Sequence, residues 1–157
     1  MRLSLLLGLL LAPAACGFAP APPPRPKKLP DLPALAGSWR VVRYQSGAQD
    51  IMGRRELRVR LDKQRWTFLV RTAGAAERTG SRYDLSLDPK ASPPAFSWRG
   101  ADGKSLQYVG SYALEGDTLS IVFASPGPGL DKNRPTNFAA PRPGDYLMVL
   151  KREPAAR

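Results

Sequence analysis

The sequence predicts an all-β protein, an antiparallel up-and-down barrel of about eight strands. Three observations carry that prediction. From Gly37 to Arg152 short segments alternate apolar and polar residues, as strands with one wet face do. Clusters of Gly, Pro, Asp and Asn punctuate them, and no stretch in the body keeps apolar residues at the helical spacing of i, i+3, i+4 and i+7. Closing such a set of strands on itself removes both exposed sheet edges.

Each element follows from its own residues. Ala36-Gly37-Ser38-Trp39 opens the folded body, with Gly37 permitting a tight entry and Trp39 large enough to plug a barrel end. In this first strand Trp39 and Val41 share one face, while Arg40, Val42 and Tyr44 share the other. The stretch Ala48 to Arg55 lacks a clear period and is compatible with a helical turn. Leu57, Val59 and Leu61 then alternate with charged residues, and Asp62-Lys63-Gln64 turns the chain into a strand placing Trp66, Phe68 and Val70 inward. So short a connection predicts a hairpin.

Further on, Tyr83, Leu85 and Leu87 share one side of a strand from Arg78, which Asp88-Pro89 stops. Ala95–Arg99 is a short strand. A second hairpin runs from Leu106 to Leu114 and from Thr118 to Ala124 through Glu115-Gly116-Asp117, with Gly110 marking a bulge or bend. A long loop spans Ser125 to Pro135, Thr136-Asn137-Phe138 suggests a brief strand, and Asp145 to Arg152 closes the fold. Eight strands leave an interior that side chains fill or that holds one small ligand. The bulk of Trp39, Trp66 and Trp98 predicts a largely filled one, with at most a shallow apolar pocket.

Ahead of the body, Met1 to Ala15 reads as a signal peptide: a basic start, an apolar run and small residues at the exit. Cys16, the only cysteine, follows directly, and its setting resembles the lipobox of bacterial lipoproteins, in which that cysteine carries lipid. Pro13 departs from the pattern. The competing reading is ordinary cleavage near Ala14, Ala15 or Ala19. Both imply export to the cell envelope or periplasm. Residues 16–33 are rich in proline and carry Arg25, Lys27 and Lys28, which makes them an extended tether. The barrel domain is predicted over 34–153, with a loose tail at 154–157.

Gly37-Ser38-Trp39 on the first strand, with Lys151 or Arg152 on the last, resembles the lipocalin signature, in which the tryptophan packs beneath a basic residue of the closing strand. The body further resembles an uncharacterised lipocalin-like domain family expanded in planctomycete bacteria. That likeness rests on Leu35, Gly37 and Trp39, on Arg82-Tyr83-Asp84-Leu85, and on the run from Gly110 to Leu119. Arg134-Pro135-Thr136-Asn137-Phe138 and Leu150-Lys151-Arg152 complete it. Val122 stands where the family usually has a cysteine. The resemblance implies a lipocalin-like barrel and an exported location, and it implies no activity.

The composition narrows the chemistry. With no histidine and no cysteine after Cys16, the body lacks the side chains of His- or Cys-based nucleophilic catalysis and of conventional zinc or copper sites. Most of the 13 carboxylates sit in turns, Glu115 and Asp117 included. The expectation is therefore a non-catalytic protein with no cofactor and no metal. Against those carboxylates stand 24 Lys and Arg, a net charge of +11, which attracts anionic partners. The first functional expectation is an envelope barrel that binds a small apolar ligand or a protein partner, entered near Trp39 or beneath the Ser125–Pro135 loop. The alternative is a basic module docking on anionic lipid or wall polymer through Arg54, Arg55, Arg58, Arg60 and Arg71. Nucleic acid ranks third, since export removes it and the aromatics face inward, not between the arginines.

Overall fold

The computed structural model describes residues 32–128 and 134–154. The signal peptide, Cys16, the tether as far as Asp31, part of the Ser125–Pro135 loop and the last three residues lie outside them. One helical turn, α1 (Leu32–Leu35), precedes nine strands: β1 (Gly37–Ser46), β2 (Gln49–Asp50), β3 (Arg55–Asp62), β4 (Arg65–Thr72), β5 (Arg78–Asp88), β6 (Ala95–Arg99), β7 (Leu106–Glu115), β8 (Thr118–Ala124) and β9 (Tyr146–Arg152). Leu35, at the end of α1, is buried in the core, and Leu32 packs against it.

All strand pairings are antiparallel, neighbours in sequence are neighbours in space, and β1 pairs with β9 to close the barrel. The two-residue β2 is an appendage on β1. Eight barrel strands and the up-and-down order are as predicted. Both predicted hairpins form: Asp62 pairs with Arg65 around Lys63-Gln64, and Glu115 pairs with Thr118 around Gly116-Asp117.

Four local readings are corrected. Tyr44 faces inward, not outward with Arg40 and Val42. The register of β1 against β9 slips between Val41 and Arg43, so Val42 is an extra residue and Tyr44 falls opposite Met148 on the inner face. Ala48–Arg55 is not helical; it folds back on β1 as β2 and a turn. Residues 136–138 form no strand, and the Asn137 side chain instead accepts the N–H groups of Ala139 and Ala140, both at 3.0 Å. Gly110 is not a bulge. It stays in register between Phe96 and Phe123, and a Cβ there would lie 2.8 Å from each side chain and 2.1 Å from the Val122 carbonyl oxygen.

The core lies inside the barrel and draws its fully buried residues from Leu35 to Leu150. Trp66, Trp98, Phe96 and Phe123 pack at centroid distances of 4.9 to 6.4 Å. Part of the outer wall is also dry. Ala95, Ser111, Val122 and Leu147 form one cross-strand row on the outer face of β6 to β9, and all four are buried. The outer face of β3 to β5 carries arginines instead.

Candidate functional site

The barrel has a sealed end and an open one. At the sealed end the Trp39 indole N–H donates to the Leu35 carbonyl at 2.9 Å, tying α1 across the opening. The Arg152 guanidinium lies 4.2 Å from the Trp39 ring centroid and donates to the carbonyls of Ala36 at 2.9 Å and Ala34 at 2.6 Å. Asp117 faces its other side at 3.4 Å. Gly37, at φ 124°, brings the chain in beneath, where a Cβ would stand 3.4 Å from that guanidinium. Of the two basic residues expected over Trp39, Arg152 is the one that stacks. Lys151 points elsewhere and donates to the Thr118 hydroxyl at 2.6 Å. Trp39 itself is wholly buried.

An apolar pocket bordered by Leu35, Trp66, Leu85, Phe96, Trp98 and Ile121 amounts to about 10 Å³. One water barely fits such a space, and a ligand does not.

The open end is ringed by tyrosines. Tyr44, Tyr108 and Tyr146 pack around Phe123, and Tyr83 stacks on Trp98, with Tyr108 edge-on to Tyr83 at 5.9 Å and to Tyr146 at 6.3 Å. Burial, then the neighbouring phenols of Tyr108, Tyr146 and Tyr83, push the Tyr44 pKa up to about 12. Burial, then Tyr83 and Tyr146, raise Tyr108 likewise. These phenols stay protonated at neutral pH. They are hydrogen-bonding groups, not bases.

The carboxylates serve turns and ion pairs. Asp102 accepts the N–H groups of Lys104 and Ser105 and the Ser105 hydroxyl, at 2.8 to 3.1 Å, and these bonds hold its carboxyl below the usual range. Among the described residues no group of three His, Cys, Asp or Glu is placed to hold a metal ion, and no helix is long and apolar enough to cross a membrane.

The predicted arginine set divides in two. Arg58 is committed: Glu56 at 3.2 Å, Glu153 at 3.3 Å and Glu77 at 3.6 Å surround it. Arg71 shares Glu56 at 3.9 Å. Arg54, Arg55 and Arg60 are exposed and have no ion-pair partner among the described residues. Arg40, which the sequence reading left out, joins Arg54 and Arg55 around an open groove of about 490 Å³ that also includes Val42, Met52 and Glu56. Only the register of β1 brings Arg40 to this cluster, since it pairs with Arg58 across the β1–β3 seam.

Comparisons with protein-family models, with curated proteins and with solved structures gave no match to this chain.

Proposed function

We propose that this protein is a non-catalytic, exported envelope barrel that docks on a polyanionic surface through the arginine cluster of β1 and β3. The observation that carries this reading is the sorting of the arginines. Arg58 and Arg71 are spent on carboxylates, whereas Arg40, Arg54, Arg55 and Arg60 are exposed with no ion-pair partner among the described residues, and the first three line one groove. Free guanidinium groups held together by a rigid sheet raise the local potential and recruit phosphate or carboxylate groups. The filled interior supports the same reading, because it leaves the surface as the place to bind. Export rests on the Met1–Cys16 leader, and anchoring through Cys16 would hold the barrel beside its target on a tether. The lipocalin-like family resemblance belongs to the same proposal.

The test is binding of residues 17–157, which lack the leader and its acyl acceptor, to anionic vesicles and to purified anionic wall polymer. Every core residue lies within this span. Binding at low salt that fades as the Debye length shrinks from about 10 Å at 0.1 M toward about 3 Å at 1 M is the expected result. No binding at low salt to either surface would overturn the reading.

A second reading, uptake of a small apolar molecule or a protein side chain at the open end, is favoured by the ring of half-buried tyrosines. A ligand there would raise the thermal midpoint of the wild type and not of Tyr108→Ala.

A further inference from the structure

The groove between β1 and β3 exists because those strands part company. β1 pairs with β3 only from Gly37 to Arg40, and regains a neighbour on that edge at Gln45 and Ser46, where β2 lies. Between these points β1 pairs with neither strand on that edge, and its register against β9 slips at Val42. Among the described residues, two large apolar side chains are left exposed, Val42 at 40% and Ile51 at 37%. Ile51 lies along the same edge of β1, its N–H donating to the Tyr44 carbonyl at 2.9 Å, two residues beyond Val42. Met52 lines the groove with Val42.

Arg40, Arg54 and Arg55 line the same groove. The one carboxylate lining it, Glu56, faces Arg58 at 3.2 Å and Arg71 at 3.9 Å, so its charge is already answered. Glu77 and Glu153 lie on Arg58 at 3.6 and 3.3 Å, beside the groove, and Asp50 accepts the Met52 N–H at 2.8 Å, holding the turn. The result is an apolar tip bordered by uncommitted cations. A hydrophilic polyanion would use the arginines and leave Val42 and Ile51 in water. An anionic lipid bilayer uses both, with phosphates at the guanidinium groups and acyl chains beneath.

We infer that the anionic surface is a lipid bilayer, and that the parted β1–β3 seam is its docking point, with Val42 and Ile51 entering the acyl boundary and Arg40, Arg54 and Arg55 holding lipid phosphates. This rests on the docking reading above and narrows it to one surface. The bulge has a purpose in this account: it turns Tyr44 into the barrel and leaves Val42 outside.

The experiment uses residues 17–157, which contain no cysteine, with either Val42→Cys or, on the far wall, the exposed Gln107→Cys, each labelled with an environment-sensitive fluorophore. The probe surface is phosphatidylglycerol–phosphatidylcholine vesicles, with and without brominated acyl chains. Quenching and a blue shift at position 42 and none at 107 are expected. In unlabelled protein, Val42→Ser with Ile51→Ser weakens vesicle binding by roughly tenfold per residue, the loss of about half to all of each side chain's burial. The same pair leaves binding to soluble dextran sulfate unchanged. Vesicle binding with no quenching at position 42, or equal quenching at 42 and 107, overturns the bilayer assignment and leaves electrostatic docking intact. No vesicle binding at low salt, with polymer binding retained, also overturns it. Failure to bind either surface removes the docking reading itself.

Discussion

Strand β1 treats its two edges differently. Along one it is clasped by β9 through seven register pairs, from Trp39 opposite Arg152 to Ser46 opposite Tyr146. Along the other it holds β3 through four pairs and then separates. The clasped edge ends in partnered groups: Arg152 satisfies two carbonyls and covers Trp39, so nothing there is left for a ligand. The open edge ends in unpartnered cations and exposed apolar side chains. One strand thus supplies the barrel's fastening on one side and its candidate contact surface on the other. The same extra residue, Val42, serves both, since the bulge is absorbed on the β9 side and displayed on the β3 side.

The largest effect should come from breaking the clasp. Trp39→Ala is expected to cost about 3–5 kcal/mol, the usual range for truncating a buried tryptophan, and denaturant unfolding would read it. An unchanged midpoint would show that the end plug is not structural. Gly110→Ala probes the barrel wall away from both edges. Its methyl group would meet the Val122 carbonyl, Phe96 and Phe123, with an expected cost of about 1–3 kcal/mol for overpacking. Arg152→Leu sharpens the comparison further. It removes the bonds to Ala34 and Ala36, and because the arginine is part-exposed the loss should be smaller, about 1–2 kcal/mol. Lys151→Leu, at the next position, should change stability by under about 0.5 kcal/mol, because its single bond is exposed.

Alkaline pH tests the open end. The Tyr44 phenol ionises near 10 when unfolded and near 12 when folded, so the native state holds its proton more tightly. Stability from this group is full below pH 10 and declines as pH rises toward 12. Tyr44→Phe should flatten that decline, as followed by unfolding at stepped pH. A decline of the same slope in the variant would assign it to other groups.

Much of the fold was legible because alternation and turn chemistry act locally. Leu57, Val59 and Leu61, and Leu119, Ile121 and Phe123, face inward as their period of two requires. The hairpin turn at Gly116-Asp117 is set by a residue that accepts positive φ, Gly116 at 57°, whereas Lys63 takes φ 54° as a non-glycine. The partner of Trp39 was narrowed to two adjacent residues. Strand parity decides between them, since Arg152 is the one paired with Trp39. The functional surface was less legible. Alternation counts residues and does not register an inserted one, so the bulge at Val42 reversed the side of Tyr44. Arg58 looked as available as Arg60 because its three carboxylates come from positions 56, 77 and 153, which only the fold assembles. Arg40, Val42 and Met52 line one groove because the chain folds back through β2, a two-residue strand too short to carry a pattern. A clean polar–apolar boundary is what sequence displays best, and this surface mixes the two.

The most direct test of the docking account compares two triple variants of residues 17–157 that lose the same charge. One carries Arg40→Gln, Arg54→Gln and Arg55→Gln at the open edge of β1. The other carries Arg78→Gln, Arg82→Gln and Lys90→Gln, exposed on β5 and the turn after it. Affinity for anionic vesicles at low salt is measured for both. At about 1 kcal/mol per basic residue near the surface, the first triple should weaken binding by roughly a hundredfold. The second should cost a small fraction of that. Equal losses would mean that the vesicles respond to net charge alone, and would contradict a docking site at the open edge of β1.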